Sequence, residues 1–443
     1  MKLFPPQAEV HLYEEGFGDN DLLQRKGVGK RLSDLLENVD DPVVLAVDGA
    51  WGSGKSHFLK RWVGAHTVEN GGRATTVYFD AFANDFIEDP LISLTGFIGE
   101  RLPSAKQRVS WKKAKNVVVK VARPLLRVGA ALATAGASEL TGPVIDAAIE
   151  AGGKEAEEAV DAFWRREDGR RAAMQQFRNA LAEITKDGSV LIIVVDELDR
   201  CRPDYALATL EVIKHFFAVE RVHFVLGVNM EALEHIVRVR YGAGVNAPDY
   251  IKRFISLSIQ LPMYVGEGAV LRAQMKYFRT AADEMGIDAR VGKIALEHLE
   301  LAIAHTEVTL RDIEKILTRL VVLPRSKELG DFPFGYQTVI IALVIWQVLK
   351  PDFHRRAFRQ TLTMEEIDDF FGISSSMLER ESQSYNHDAY LLSGIWRFAL
   401  TEKSMVETDR ADFARTFDRS GRGVSKLLEV VERDFFSVFE VRD

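Results

Sequence analysis

Apolar runs and their spacing divide the chain into two parts. In the first, short uninterrupted apolar runs occur at Val43–Val47, Thr75–Phe79, Val190–Val195, Val222–Val228 and Ile255–Leu261. Runs of this length without polar alternation fit strands covered on both faces. Helical patterns separate them, as expected for repeated βαβ units around a parallel sheet. A helix is predicted ahead of the first strand, roughly Leu22 to Glu37. From about Met263 onward the strand signal disappears. Helical patterns follow near Leu271–Met285, Val291–His305, Leu310–Leu323, Tyr336–Leu349 and Met364–Phe371, with others toward the C-terminus. The expected architecture is α/β, a parallel five-stranded core sheet flanked by helices, followed by an all-α domain. The expected divisions are an N-terminal segment at 1–42, the core at 43–265 and a helical domain at 266–443.

The first apolar run ends in Asp48 and leads into Gly49-Ala50-Trp51-Gly52-Ser53-Gly54-Lys55-Ser56, then His57 and an amphipathic stretch. This is G-x-x-x-x-G-K-S between a buried strand and a helix, the pattern of a phosphate-binding loop. Glycines let backbone N–H groups turn inward around phosphate oxygens. Lys55 is expected to reach the terminal phosphates and Ser56 to ligate Mg²⁺, with the positive end of the helix aimed at the anion. Residues 49–57 are therefore the candidate nucleotide-binding set.

A second motif ends the third run. Val190-Leu191-Ile192-Ile193-Val194-Val195 terminates in Asp196-Glu197-Leu198-Asp199-Arg200. Asp196 is the candidate second metal residue, acting through the ion's water shell. Glu197 is the candidate general base for an attacking water, against a bland alternative as a helix cap. An acid adjacent to the metal aspartate favours hydrolysis over phosphoryl transfer to a second substrate. Arg200 is read either as a charge stabiliser or as the partner of a carboxylate. Cys201 has no neighbouring His or second Cys and reads as a small structural residue. Asn229, at the tip of the fourth run, is a candidate for orienting the water and equally a helix N-cap. Arg253 and Arg311 are candidates for sensing the γ-phosphate, although most arginines are surface or ion-pair residues.

Composition narrows the picture further. At 443 residues the chain is long enough for two or three domains, and 47% hydrophobic with 28% charged residues is ordinary for a globular protein. A net charge of −8 argues against coating nucleic acid through the overall field. One cysteine excludes a disulfide framework and suits a reducing cytoplasm. No apolar run of 18 or more residues appears, and Thr338 to Leu349 reads as a buried helix too short to span a bilayer. One region departs from the pattern, an expected basic and amphipathic insertion at about 101–165. Between Arg101 and Ser138 there is no acidic residue, and Lys113, Lys120, Arg123 and Arg127 share one helical face. Such a stretch, chiefly 106–136, can touch an anionic membrane surface or, less favoured here, nucleic-acid phosphate; the plain alternative is a helix packed on the sheet.

Together these residues resemble the KAP family of P-loop NTPases, over roughly residues 20–325. The resemblance rests on Ala50-Trp51-Gly52-Ser53-Gly54-Lys55-Ser56, on Leu198-Asp199-Arg200-Cys201-Arg202-Pro203, on Leu210 to Phe217 and on Asp249-Tyr250-Ile251-Lys252-Arg253-Phe254 before Leu261-Pro262. The Asp-Arg-Cys-x-Pro element is considerably more specific than the phosphate loop alone. Three departures stand out. Asp80-Ala81-Phe82 replaces the family's Asn-Ala-Trp, Asn229 replaces an acidic residue, and the basic stretch occupies the place where many members carry transmembrane helices.

The resemblance implies a sheet in which the Asn229 strand separates the phosphate-loop strand from the Asp196 strand. It implies ATP and Mg²⁺ as cofactors, and a helical domain that closes over the nucleotide. It also implies a part in phage or plasmid exclusion; a protein partner or homo-oligomer is a separate expectation. The leading expectation is a Mg²⁺-dependent cytoplasmic ATPase. The alternative is a slow or non-hydrolysing nucleotide switch, attached to the inner membrane surface if the basic stretch binds lipid.

Overall fold

In this computed structural model the described residues are 2–5, 9–18, 21–87, 89–102, 171–216 apart from 173, 219–262, 264–265, 271–401, 405–418 and 426–437, with scattered positions between 108 and 115. Helix α1 (Lys26–Asn38) precedes strand β1 (Val44–Asp48), and α2 (Lys55–Val68), β2 (Thr75–Asp80) and α3 (Pro90–Arg101) follow. A helical stretch at 174–185 leads into β3 (Leu191–Asp196). Then come α4 (Pro203–Phe216), β4 (Val222–Val228), α5 (Met230–Tyr241), the short α6 (Ala247–Ile251) and β5 (Leu257–Gln260). The five strands lie in the order β2-β3-β4-β1-β5, and every neighbouring pair is parallel. The Asn229 strand thus does separate the phosphate-loop strand from the Asp196 strand.

Alternation along the strands divides the sheet into two buried faces. Val44, Ala46, Val77, Phe79, Ile193, Val195 and Leu226 pack with Leu94 of α3 and Leu210 and Ile213 of α4. Leu45, Val47, Tyr78, Ile192, Val194 and Val225 pack with Leu36 of α1 and Phe58, Leu59 and Trp62 of α2. This explains the unbroken apolar runs, since both pleat faces are covered and each fully buried aliphatic side chain contributes about 1.5–3 kcal/mol. Strands β1, β2 and β3 each run one residue past the apolar run to an aspartate, Asp48, Asp80 and Asp196, placing acids along the carboxyl edge.

Beyond β5 the chain is mostly helical, with one departure from expectation. Tyr264–Val265 (β6) pairs antiparallel with Leu271–Arg272 (β7), a two-residue ladder too short to leave a periodic signal in the sequence. Helices α7 (Ala273–Met285), α8 (Ala289–Ile303), α9 (Leu310–Val322) and α10 (Phe334–Leu349) then build a separate apolar core. Asp288 caps α8, and Thr309 with Asp312 forms a reciprocal capping box at the start of α9. Helix α10 is buried on all sides from Gln337 to Trp346, as a helix apolar around its whole circumference must be. Among the described residues no helix is long and apolar enough to cross a membrane.

Two further expectations meet the structure at the N-terminus and the insertion. The first helix begins at Lys26 rather than Leu22, because the Asp21 carboxylate accepts from the Lys26 N–H at 2.6 Å and Gln24 takes a left-handed φ of 51°. Arg25 is thereby left outside the helix. Most of the basic stretch, including Lys113, Lys120, Arg123, Arg127 and nearly all of 106–136, lies outside the described residues. Its start is anchored: Trp111 is buried, stands 4.7 Å from the Phe177 ring and donates to the Thr95 carbonyl at 2.9 Å.

Candidate nucleotide site

The loop between β1 and α2 turns on Gly52 and Gly54, both at φ +84°, a left-handed conformation that favours glycine. Gly54 is the residue before α2, so no side chain caps the helix and its first-turn N–H groups face the loop. Lys55 is buried at 7% exposure, and its ammonium donates to the carbonyls of Gly49 and Ala50, the latter at 3.1 Å. Burial lowers its pKa, opposed by the nearby carboxylates of Asp199, Asp196 and Asp48. Ser56 follows in the first turn, and His57 is exposed beside it.

The end of β3 meets this loop. Asp196 is 1% exposed; its Oδ2 accepts from the Tyr78 hydroxyl at 2.6 Å and its Oδ1 from the Glu197 N–H at 2.9 Å. Burial pushes its carboxyl up to about 6, against the opposing effect of hydrogen bonds from Tyr78 and Ser56. Glu197 has φ +59°, a left-handed conformation rare for a side-chain-bearing residue and typical of strained functional turns. Its N–H also donates to the Gly227 carbonyl on β4 at 3.1 Å. The Ser56 hydroxyl lies 3.4 Å from its Oε1, and Arg200 Nη1 donates to the same oxygen at 2.7 Å. Loop, metal-type aspartate and glutamate therefore converge on one spot.

The remaining candidates separate cleanly. Arg311, second residue of α9, lies against the loop, since a Cβ on Gly52 would fall 2.6 Å from its Cβ. The Leu310 N–H also donates to the Gly52 carbonyl at 3.1 Å, so the helical part touches the loop directly. Asn229 caps α5, its side-chain oxygen accepting from the N–H groups of Glu231 and Ala232 at 3.1 and 3.3 Å. Arg253 does not join them. It precedes β5, which runs parallel to β1, so it stands at the opposite, amino edge of the sheet, exposed and 5.9 Å above the Tyr250 ring. Cys201 is buried, with its sulfur 3.6 Å from the Glu197 carbonyl and its pKa raised by burial.

Two further contributors, Arg25 and Tyr78, carry no local motif, and a third, Asp199, opens the Asp-Arg-Cys-x-Pro element. Arg25 donates from Nη1 to the Gly54 carbonyl at 3.0 Å and from Nη2 to the Ser53 carbonyl at 2.8 Å, holding the loop from outside. Tyr78 pairs in register with Val194, and Asp196 lies two residues further on the same face; only strand pairing reveals this neighbour. Asp199 accepts from the Trp51 indole N–H, joining the loop to the turn after β3. Beside the loop, on the β5 flank, opens a cavity of about 260 Å³ lined by Arg25, Asp48, Ser53, Leu261, Gln274 and Val308 among others.

The sequence matches the KAP family P-loop domain over residues 25–326, more than half of the chain. The chain belongs to this family. Two features of this KAP member bear on the edge of its sheet. Asp80 Oδ1 accepts from the Ala83 N–H at 2.9 Å and starts a single 3₁₀ turn at Phe82–Asn84, and Asn229 occupies the acidic position as a cap. Among solved structures, this KAP chain is similar to Cdc6p from Pyrobaculum aerophilum, with 11% identity, 93% of each chain covered and a TM-score of 0.39. It is also similar to the ORC2 protein of Aeropyrum pernix in its ADPNP–ADP complexes, with 13% identity, 89% and 88% covered and a TM-score of 0.33. A Walker-type ATPase of Pyrococcus abyssi gives 10% identity, 87% and 92% covered and a TM-score of 0.35. No curated protein sequence matches the chain.

Proposed function

We propose that this KAP domain binds ATP with Mg²⁺ and hydrolyses it, and that the state of the nucleotide moves α9 and the helical core behind it. The observation that carries the reading is the meeting of Ser56 with Glu197 at 3.4 Å beside the buried Asp196. Loop and acids face a common space, as a triphosphate and its cation require. The donors offered there are all hard oxygens, and a buried carboxyl pushed up to about 6 is a charge that a cation would stabilise. These residues suit Mg²⁺, which would be held by Ser56 and Asp196 with phosphate oxygens and water, and would offset charge on the phosphates. Lys55 releases the Gly49 and Ala50 carbonyls to take the terminal phosphates. Glu197 accepts a proton from the attacking water, and Tyr78 keeps the Asp196 carboxylate turned toward Ser56. The contact from Leu310 to Gly52 supports coupling, because a loop that reshapes around phosphate displaces the start of α9. By family resemblance the cycle would serve phage or plasmid exclusion.

A second reading, a slow switch, is favoured by the Arg200–Glu197 pair at 2.7 Å, which engages the base. Titration and phosphate release with the full chain separate the readings. Lys55→Ala is expected to lose ATP binding. Glu197→Gln is expected to keep binding and lose roughly 10²–10⁴-fold in turnover, the usual contribution of a positioned base. Unchanged turnover in both variants overturns the ATPase reading. Wild-type turnover below roughly 0.01 s⁻¹, with nucleotide retained through purification, selects the switch.

A further inference from the structure

A phosphate loop works only if its peptide units point the right way. In a planar trans peptide the C=O and the next residue's N–H lie on opposite sides of the chain. Whatever holds a loop carbonyl therefore aims an N–H in the other direction. Glycine leaves that orientation open, because its φ takes either sign at little cost. The unit between Ser53 and Gly54 is free in this sense to turn over, and an anion would then meet a carbonyl oxygen where it needs a donor.

The carbonyls of Ser53 and Gly54 accept from one guanidinium, that of Arg25, at 2.8 and 3.0 Å. They do not depend on it equally. The Gly54 carbonyl also accepts from the Phe58 N–H at 3.0 Å, the first bond of α2, so the helix itself orients that unit. The Ser53 carbonyl lies before the helix, and Arg25 is its donor. The arginine side chain is 4% exposed with both terminal nitrogens committed to the loop, so it serves the backbone rather than a ligand. Burial lowers its pKa only to about 10, which keeps it a cation at neutral pH and its bonds charge-assisted. Its own backbone is anchored elsewhere, since Leu22 and Leu23 pack with Ala273, Tyr277 and Leu310 of the helical part. A Cβ at Gly54 would fall 2.8 Å from Arg25 Nη1, so the arginine sits this close because a glycine faces it.

We propose that Arg25 is a positioning residue for the phosphate loop. By drawing the Ser53 carbonyl outward it aims the Gly54 N–H inward, alongside the first N–H groups of α2, which have no partner within the helix. The anion cradle is then set before a nucleotide arrives, and binding does not have to order it. This rests on the nucleotide reading above, on binding rather than hydrolysis, and adds to it the residue that shapes the cradle without touching phosphate.

Calorimetric titration of the full chain with ATP and with ADP, each with Mg²⁺, tests this. Arg25→Met is expected to weaken both by the same factor, about tenfold or more, the order that one hydrogen bond to a charged group contributes. The factor is shared because the loop's N–H groups meet phosphates that both nucleotides carry. In steady state the loss is expected to fall on KM rather than on kcat. Arg25→Lys keeps the charge without the planar fork and is expected to bind both nucleotides several-fold more weakly than wild type. Unchanged affinity in Arg25→Met means that the loop orients itself. A loss confined to ATP puts the guanidinium on the γ-phosphate, and wild-type affinity in Arg25→Lys assigns the effect to charge alone. Each of these overturns the proposal. Should Arg25→Met fail to fold, Arg25→Lys decides by itself. If wild type binds neither nucleotide, or Lys55→Ala binds both as wild type does, the failure belongs to the nucleotide reading instead.

Discussion

The carboxyl edge of the sheet and the helical core around α10 bury their side chains for opposite reasons. At the edge, Lys55, Asp196 and Asp199 are buried charges, and Gly52, Gly54 and Glu197 hold left-handed backbone. Such groups draw on stability, because desolvating a charge or fixing a strained φ costs free energy unless a ligand compensates. In the helical core, Val339 to Trp346 are without exception 0% exposed and apolar, and Trp346, Trp396, Phe371 and Phe353 pack ring against ring. Burial there is unconditional. The contrast assigns recognition to the edge and rigidity to the core, with the capping box of Thr309 and Asp312 standing where they touch.

The largest effect comes from attacking the core. Trp346 lies 4.7 Å from Trp396, fully enclosed, so Trp346→Ala leaves a cavity few neighbours can fill. A loss of about 3–5 kcal/mol is expected, measured by denaturant unfolding. Below the melting temperature, the folded variant is expected to keep wild-type ATP affinity, since no ligand-facing group has changed. A large affinity loss in the still-folded variant breaks the comparison, and would make the core part of the recognition machinery.

Much of this division is legible in the sequence, unevenly. The five apolar runs and the loop Gly49 to Ser56 are local signals, and so are the acids after β3, because strand and turn chemistry is written in consecutive residues. Arg25 is different. It holds the loop across 28 and 29 positions of chain, and is available because the helix starts only at Lys26, whose N–H donates to Asp21. Tyr78 needs the register of β2 on β3 to be seen beside Asp196. Arg253 shows the converse error. A basic residue near a strand suggests a phosphate sensor, but the direction of β5 decides which edge it occupies, and direction is a property of the whole sheet.

A second effect, of a few kcal/mol, separates the regions by their response to pH. In the helical core burial lowers the pKa of His298 to about 3 and, chiefly by the same cause, that of His354 to about 4. Both stay neutral when folded, while the unfolded chain takes up protons near 6.5. Stability from these groups is present above 6.5 and lost as pH falls from there toward 4, at about 1.4 kcal/mol per unit of separation. At the edge the sign reverses. Burial raises Asp196 from 3.8 to about 6, so its contribution is full below 3.8 and lost as pH rises through 6. His298→Leu is therefore expected to flatten the fall in melting temperature between pH 6.5 and 4. An acid limb unchanged by the substitution would sink the assignment of that slope to the core.

The smallest effect decides most finely, because Asn229 stands at the edge while its side-chain oxygen is taken up by a helix cap. Its side-chain oxygen caps α5, and Asn229→Ala is expected to cost about 1 kcal/mol for the lost cap. Asn229→Asp keeps an oxygen for Glu231 and Ala232 and adds negative charge at a helix N-terminus, so its thermal stability is expected to match wild type. The aspartate lacks the amide N–H donors, however, and sets another carboxylate near Asp199, which takes a hydrogen bond from the Asn229 backbone. Phosphate release by Asn229→Asp is accordingly expected to stay several-fold below wild type although its melting temperature is restored. If stability and turnover recover together, Asn229 belongs with the groups that only hold the fold, and the boundary between the two kinds of burial runs through the tip of β4 rather than beyond it.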